Sequence, residues 1–237
     1  SGDRYTARTG DLNGTGRVVA AGGDAVIDAA VATGFVMADG GVGDDTITGS
    51  QQDDHLLGGS GDDVIDALGG RDHVYGDSGL NIDLSVRSDL QDQLIHIVQA
   101  QDPGARGFEA QTGDALAAPG DDAITAADGN VILADFGVIA QAQGVNRAFD
   151  TGSVTRVTTV REDEGGDDTV TGGARADWIL AGAGADEIDG TRGDDVILGD
   201  VGRLTTQGDM RRALAETSPD APAAGGDDTI EAGDGAQ

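Results

Sequence analysis

Residues 40–48 read Gly-Gly-Val-Gly-Asp-Asp-Thr-Ile-Thr, and residues 58–66 read Gly-Gly-Ser-Gly-Asp-Asp-Val-Ile-Asp. Both stretches fit the nine-residue pattern G-G-x-G-x-D-x-U-x, in which U is a large aliphatic residue. In such a repeat the glycines make a tight turn, the aspartate marks a polar site at that turn, and U fills a narrow core. The pattern therefore predicts an all-β fold built from stacked turns and short strands.

The nine-residue period continues beyond these two copies. Weaker copies begin at Gly49 and Ala67, a second run covers residues 163–198, and shorter runs begin near Ala117 and Ala223. We interpret residues 1–237 as one elongated repeat region in which polar excursions interrupt the roll. The division is a degenerate coil in 1–39, roll segments in 40–80, 117–137, 163–202 and 223–237 (the last truncated), and excursions in 81–116, 138–162 and 203–222.

Each run ends in a related phrase, after which the period breaks. The three phrases are Gly76-Asp77-Ser78-Gly79, Ala134-Asp135-Phe136-Gly137 and Gly199-Asp200-Val201-Gly202. The excursions that follow contain apolar or alternating stretches: residues 94–98 and 154–158 read as strands, and residues 213–217 read equally as a strand or a short helix. The last module stops at Gln237 before its second strand, so we expect the natural protein to continue.

Composition narrows the functional classes. The chain has a formal charge of -30, 41 glycines, no cysteine and 3% aromatic residues. Such values are typical of disorder, but here aspartate recurs in register with glycine and Ile or Val. The acidic surface argues against nucleic acid and anionic membranes as partners, and no stretch is long enough to span a bilayer. The chain lacks Lys and Cys and has no His-Glu-x-x-His or Gly-x-Ser-x-Gly motif, so we expect no enzymatic activity.

The period places aspartates in columns. Two nonamers make one coil of a flattened right-handed parallel β-roll, so turns eighteen residues apart stack at about 4.8 Å. Carboxylates stacked this closely repel one another unless a cation lies between them. Ca²⁺ suits the gap because it takes six to eight hard oxygens, including backbone carbonyls, whereas Mg²⁺ demands a tighter octahedron and transition metals prefer His or Cys.

The candidate calcium ligands follow from this geometry. The stacked pairs are Asp45 over Asp63, Asp54 over Asp72, Asp168 over Asp186, and Asp177 over Asp195. Asp122 and Asp228 are further candidates, although they lie in short runs without a partner one coil away. Backbone carbonyls are expected from Gly41, Gly43, Gly59, Gly61, Gly182 and Gly184. The competing interpretation is that solvated aspartates simply favour turns; for Asp77, Asp135 and Asp200, binding of an end ion and capping of the turn both stay open.

His55 and His73 lie eighteen residues apart, at equivalent positions of two coils. We expect them to stack on the outer face of the roll. A bridging Zn²⁺ is one interpretation, and a pair of neutral surface imidazoles is the favoured one.

The nonamer repeats resemble those of the RTX, or hemolysin-type calcium-binding repeat, family of secreted Gram-negative bacterial proteins. The resemblance rests on the intact nonamers at Gly40 and Gly58 and the near-intact copies in residues 172–198. It implies a β-roll, export in an unfolded state through a type I secretion channel, and folding in extracellular calcium. The chain departs from the family pattern at Gln52 and Arg175, which occupy turn positions usually held by glycine, and at residues 67–68, where Ala-Leu replaces a glycine pair.

Three functions compete at this stage. The first is a calcium-rigidified structural segment of a large secreted surface protein, such as an adhesin, matrix or filament component, with open roll ends that favour self-association. The second is a calcium-triggered folding and secretion tail of an enzyme or toxin; such a tail would show one uninterrupted roll. The third is a ligand-binding face on the excursions, with Trp178, Phe136 and Phe149 as aromatic candidates.

Overall fold

The computed structural model describes residues 4–6, 15–19, 23–83, 119–142, 151–161, 163–206, 213–217 and 225–234. Every regular element in these ranges is a β-strand. The strands are β1 Arg4–Thr6, β2 Thr15–Val19, β3 Val26–Asp28, β4 Phe35–Val42, β5 Thr46–Thr48, β6 His55–Ser60, β7 Val64–Asp66, β8 His73–Tyr75, β9 Gly79–Asp83, β10 Ala123–Thr125, β11 Val131–Leu133, β12 Gly137–Gln141, β13 Val154–Thr159, β14 Thr169–Thr171, β15 Trp178–Gly182, β16 Glu187–Asp189, β17 Val196–Asp200, β18 Gly202–Thr206, β19 Ala213–Thr217 and β20 Thr229–Glu231.

Two parallel sheets form the repeat region. Sheet A has the order β1-β3-β5-β7-β10-β14-β16-β20, and sheet B has the order β17-β15-β11-β8-β6-β4-β2. From β1 to β8 the chain alternates between the two sheets, and one strand of each makes one coil. The register advances by eighteen residues within an intact run, as in the pair Ile47 and Ile65 of sheet A. The all-β prediction and the eighteen-residue stacking are thus confirmed in the described part of the chain.

The excursions do not break this stack. The strand β10 pairs with β7 on one side and with β14 on the other, although residues 67–122 separate β7 from β10 in the sequence. In the same way β16 pairs with β20 across the third excursion. After each excursion the next strand therefore pairs with the last strand of the same sheet. Runs that are separate in the sequence are thus neighbours in space.

The aliphatic U residues of the repeat lie between sheets A and B. Ile47, Ile65, Ile124, Ile179 and Ile188 are almost completely buried there, and Ile197 packs against them while partly buried. Each U side chain meets its equivalents one coil away, so the core is a thin column. The sequence prediction that these side chains face inward is confirmed.

A third sheet covers the outer face of sheet B. Sheet C has the order β19-β18-β13-β12-β9, with β12 and β9 parallel and the other pairs antiparallel. Its side chains Ile139, Val157 and Leu204 form a second apolar cluster with Tyr75 and Trp178 of sheet B. The molecule thus has three layers, and the second layer is apolar on both faces.

The excursions supply this third layer. All three exit phrases lead directly from a sheet B strand into sheet C, through β9, β12 and β18. The predicted strand in residues 154–158 is confirmed as β13, and the ambiguous stretch 213–217 is a strand, β19. Residues 94–98 lie outside the described residues. Among those that are described, no helix is long and apolar enough to cross a membrane.

Candidate metal centre

One column of aspartates runs along the edge where the chain passes from sheet B to sheet A, which we call the first edge. Each aspartate immediately precedes a sheet A strand, and its Oδ1 accepts the backbone N–H of the equivalent residue one coil earlier. The distances are 2.7 Å from Asp45 N to Asp63, 2.8 Å from Asp63 N to Asp122, 2.8 Å from Asp122 N to Asp168, 2.9 Å from Asp168 N to Asp186, and 3.1 Å from Asp186 N to Asp228. The stacking predicted for Asp45 with Asp63 and for Asp168 with Asp186 is confirmed.

Asp122 and Asp228 also belong to this column. The expectation that they lack partners one coil away is wrong, because Asp122 lies between Asp63 and Asp168, and Asp228 follows Asp186. Local spacing could not show this, since 59 residues separate Asp63 from Asp122 and 42 separate Asp186 from Asp228. The first edge therefore carries one continuous column of carboxylates.

The second oxygen of these carboxylates, Oδ2, is the feature of the first edge that bears on ion binding. The Oδ2 atoms of Asp63, Asp122, Asp168 and Asp186 are buried and have no hydrogen-bond partner among the described residues. Burial, together with the charges of neighbouring carboxylates, raises the pKa of Asp63 to about 8, of Asp122 to about 9 and of Asp168 to about 8. A buried carboxylate with an unmatched oxygen is unfavourable unless a proton or a cation neutralises it.

The turns of the first edge place backbone oxygens beside these carboxylates. A Cβ added at Gly40 would overlap Asp45 Oδ2 and the carbonyl oxygen of Gly58. Equivalent overlaps occur at Gly58, with Asp63 Oδ2 and the carbonyl oxygen of Gly76. The six glycines whose carbonyls were predicted as ligands all have positive φ, as the turn prediction requires: Gly41, Gly43, Gly59, Gly61, Gly182 and Gly184.

A second column runs along the opposite edge, where the chain passes from sheet A to sheet B. Here Asp54 N donates to Asp72 Oδ1 at 2.8 Å, and Asp177 N donates to Asp195 Oδ1 at 3.0 Å, so both predicted pairs stack. The coil between them carries Asn130, whose Oδ1 accepts Asp72 N at 2.9 Å. Sequence reasoning missed Asn130, although its place directly before β11 is the signal that identifies it.

The second edge differs from the first in how its carboxylates are satisfied. Asp54 Oδ2 accepts the N–H of Ser50 at 2.6 Å, and Asp177 Oδ2 accepts the N–H of Gly173 at 2.7 Å. These two turns are the ones in which Gln52 and Arg175 replace glycine. Both turns fold back onto their own aspartate, so an ion at Asp54 or Asp177 would have to displace a backbone hydrogen bond. Only the Oδ2 atoms of Asp72 and Asp195 are buried without a partner among the described residues of this edge.

The aspartates of the exit phrases lie on the first edge, in the same column as the second glycine of the ordinary turns. Asp135 Oδ2 accepts Ala183 N at 2.6 Å and its Oδ1 accepts Gly166 N at 3.2 Å, so this side chain caps the turn. Asp77 is fully buried, and neither of its oxygens has a hydrogen-bond partner among the described residues. Burial, followed by the charges of Asp122 and Asp135, raises the pKa of Asp77 to about 10.

The first aspartate of several Asp-Asp doublets has a structural role that the sequence analysis did not assign. Asp62 N donates to Asp44 Oδ1 at 3.2 Å, and Asp121 N donates to Asp62 Oδ1 at 3.1 Å. Asp167 N continues the pattern by donating to Asp121 Oδ1 at 2.9 Å. These side chains are exposed and form an outer column whose bonds run opposite to those of the buried one. The Asp-Asp doublets in the sequence were the signal from which this role could have been predicted.

The two histidines stack as predicted, but their predicted exposure is wrong. His55 and His73 are buried, with ring centroids 4.8 Å apart, because sheet C covers this face of sheet B. His73 Nε2 lies 2.7 Å from the carbonyl oxygen of Thr151, and its Nδ1 lies 2.8 Å from Asn81 Nδ2. These contacts fix a neutral ring that donates through Nε2 and accepts through Nδ1, and burial lowers the pKa of His73 well below 6.5. Both nitrogens of His73 are thus engaged, which argues against the bridging zinc.

The donors on the first edge fit a hard cation. Among the described residues, no three side chains of His, Cys, Asp or Glu converge on one metal position. Side chains alone therefore do not form a closed site; carboxylate Oδ2 atoms and backbone carbonyl oxygens have to combine. Such an all-oxygen set of mixed origin suits Ca²⁺, which accepts carbonyls and irregular geometry, better than Mg²⁺ or a transition metal.

The fold and its acidic turns define a class of protein, the parallel β repeats whose stacked turns carry aspartate. The family model described as the RTX calcium-binding nonapeptide repeat (4 copies) matches residues 39–74, 48–82 and 164–202. The chain therefore carries RTX calcium-binding repeats, in residues 39–82 and 164–202. No curated protein and no solved structure matches the chain.

Proposed function

We propose that this chain is a structural repeat segment of a large secreted bacterial surface protein, an adhesin, matrix or filament component, which folds and becomes rigid on binding extracellular Ca²⁺. The observation that carries the proposal is the buried column of carboxylates on the first edge. Four of its Oδ2 atoms, in Asp63, Asp122, Asp168 and Asp186, have no hydrogen-bond partner among the described residues.

This column links calcium to folding in a direct physical way. Without a cation, the turns bring carboxylates together in a buried position, where desolvation and mutual repulsion oppose folding. With calcium between successive turns, the same carboxylates and the adjacent glycine carbonyls become ligands, so the free energy of ion binding becomes free energy of folding. A chain of this kind is expected to be largely unfolded where calcium is scarce and folded where it is abundant.

The proposal has finer parts, which the stacked turns and the RTX repeats support without establishing them. The two parallel sheets are wound as a right-handed β-roll, the chain is secreted through a type I channel, and it acts outside the bacterial cell without catalysing a reaction. The formal charge of -30 disfavours nucleic acid and anionic membranes as partners. Among the described residues, the terminal strands of each sheet pair on one side only, which supports association with neighbouring repeats or a second copy.

A second candidate is a calcium-triggered folding and secretion tail of an enzyme or toxin. The continuity of sheet A through β7, β10 and β14 favours it, because a tail is expected to contain one uninterrupted roll. Against it stands sheet C, which the excursions build over one face of the roll and which a simple tail does not require. A third layer that stiffens the roll fits a load-bearing segment better.

The proposal is tested by titrating the purified chain with Ca²⁺ and recording far-UV circular dichroism. We expect a disordered spectrum in chelator and a cooperative gain of β signal at roughly 0.1–1 mM Ca²⁺, the range of extracellular modules. Mg²⁺ at the same concentration is the control and should produce little change. A β spectrum that is the same in chelator and in calcium would refute calcium-driven folding.

The two edges offer a matched pair of variants for the same titration. Asp168→Asn removes a carboxylate whose Oδ2 is without a partner among the described residues, whereas Asp177→Asn removes one that is bonded through both oxygens. We expect Asp168→Asn to raise the calcium concentration at the midpoint and Asp177→Asn to change that midpoint less. The opposite ranking would place the ions on the second edge.

A further inference from the structure

Asp77 is a buried carboxylate that neither column of nonamer aspartates includes. Its side chain is completely buried, and both Oδ1 and Oδ2 lack a hydrogen-bond partner among the described residues. Asp135 has the same place in its own exit phrase, yet both of its oxygens accept backbone N–H groups. The contrast shows that a carboxylate at this position has donors in one coil and lacks them in another.

The neighbouring coils explain the contrast. The coil that follows Asp135 makes an ordinary turn through Gly182, and this turn presents Ala183 N to the carboxylate at 2.6 Å. The coil that follows Asp77 is the one that exits at Asp135. There the chain leaves for β12, so no turn closes over Asp77 to supply the equivalent donor. Two successive exits thus leave a carboxylate enclosed by protein without a matching N–H.

Two oxygen atoms lie against the backbone of the exit phrase that carries Asp77. Asp77 N donates to the carbonyl oxygen of Ala134 at 3.0 Å. A Cβ added at the preceding residue, Gly76, would overlap both that carbonyl oxygen and Oδ2 of Asp122, so Asp122 Oδ2 lies directly against the exit phrase. Asp122 Oδ2 is itself buried without a partner among the described residues. Among the neighbouring charges, that of Asp122 raises the pKa of Asp77 most.

We propose that Asp77 and Asp122 together hold a divalent cation at the point where the chain leaves the roll for sheet C, with the carbonyl oxygen of Ala134 as a third ligand. Ca²⁺ is the cation that such oxygens select. This site differs from the nonamer turns because a carboxylate replaces the second glycine of the turn, which adds a negative charge to the ligand set. The inference rests on the calcium-binding function proposed above and adds one site to it.

An ion in this place would do more than neutralise charge. Asp77 lies two residues before Gly79, where β9 begins, and β9 is the edge strand that pairs with β12 in sheet C. Asp122 directly precedes β10 of sheet A. A cation shared by the two would fasten the first strand of the covering sheet to the roll, so that sheet C would dock only on a calcium-loaded molecule.

The test measures calcium stoichiometry and affinity on the full chain by titration calorimetry, for the wild type, Asp77→Asn and Asp135→Asn. Asp135→Asn is the matched control, because its carboxylate is already bonded to two N–H groups. We expect Asp77→Asn to lose one bound ion, or to bind one ion at least about tenfold more weakly, since ligand charge sets calcium affinity. Asp135→Asn should keep the wild-type number of ions.

The outcomes separate the two proposals. If the wild-type chain binds no calcium, the proposed function itself fails. If the wild type binds calcium and Asp77→Asn binds the same number of ions with the same affinities, Asp77 is a buried protonated carboxyl and the added site is refuted. A crystal structure of the calcium-loaded wild type decides the case if Asp77→Asn does not fold: an anomalous peak between Asp77 and Asp122 supports the site, and its absence overturns it.

Discussion

Replacing Asp122 by Asn should change stability in opposite directions with and without calcium. Asp122 is buried on the first edge, its Oδ1 accepts Asp63 N at 2.8 Å, and its Oδ2 has no partner among the described residues. Asn keeps the accepting oxygen and removes the charge. The chain already contains this arrangement at Asn130, whose Oδ1 accepts Asp72 N at 2.9 Å within the second column.

The magnitude follows from the pKa of Asp122, which burial raises from 3.8 to about 9. In the absence of metal the folded chain keeps this carboxyl protonated at pH 7, whereas the unfolded chain ionises it. The contribution of this carboxyl to the free energy of unfolding is at its maximum below pH 3.8. It decreases by about 1.4 kcal/mol for each unit of rising pH, until the pH reaches the pKa of the folded chain. At pH 7 the carboxyl therefore lowers the free energy of unfolding of the metal-free chain by about 4 kcal/mol, and Asn does not.

The assay follows folding by far-UV circular dichroism in chelator while the pH is lowered. Seven buried aspartates have a folded pKa of about 7 or higher, namely Asp63, Asp72, Asp77, Asp122, Asp135, Asp168 and Asp177. For a folding midpoint near pH 6, these seven groups make the free energy of unfolding fall by about 9 kcal/mol for each unit of rising pH. Asp122 alone lowers the free energy of unfolding at that pH by about 3 kcal/mol. Removing it should raise the pH midpoint of folding by about 0.4 units. In calcium the same variant loses a ligand and should unfold at a lower urea concentration than the wild type.

Asp121→Asn is the control, because Asp121 occupies the same turn but is exposed in the outer column. It should leave the pH midpoint in chelator nearly unchanged. The reasoning is refuted if Asp122→Asn folds in chelator at the same pH as the wild type, or at a lower one. It is also refuted if both variants shift the midpoint equally, since net charge would then be the cause instead of burial.

Four further predictions concern other parts of the molecule. Asn130→Asp should lower the free energy of unfolding in chelator at pH 7 by about 1–3 kcal/mol in urea titrations, because a buried amide donor is replaced by a charge. Gly59→Ala should lower it by about 1–3 kcal/mol, since φ there is 122° and the new Cβ would overlap backbone, whereas Gly23→Ala at the open turn should cost less. Trp178→Ala should cost about 3–5 kcal/mol, because Trp178 is fully buried between sheets B and C; thermal unfolding monitors the loss. Below pH 6.5 the calcium-loaded wild type should lose stability relative to His73→Asn by about 1.4 kcal/mol per pH unit, because only the unfolded imidazole takes up a proton; urea unfolding across pH 5–7 measures the difference.

The sequence predicted what local spacing controls. The period of nine fixed the inward face of Ile65, the stacking of Asp45 on Asp63 and the positive φ of the turn glycines. It could not predict that Asp122 follows Asp63 in the same column, because that contact depends on where a long excursion returns. The burial of His55 and His73 was missed for the same reason: sheet C is formed by segments distant in sequence, and its pairing leaves no periodic trace.

A single position in the repeat decides the path of the chain on the first edge. Where the second residue of the turn is Gly41, Gly59 or Gly182, φ lies between 99° and 125°, and the chain turns back into sheet A. Where it is Asp77, Asp135 or Asp200, positive φ is not adopted, and the chain continues into sheet C through β9, β12 or β18. An L-residue with a side chain rarely takes that left-handed conformation, so replacing glycine by aspartate removes the turn. The same replacement adds a carboxylate beside the column of nonamer aspartates on the first edge, so each exit toward the covering sheet also increases the negative charge there. The exit of the chain into sheet C and the added negative charge thus both result from the replacement of glycine by aspartate at one position of the repeat.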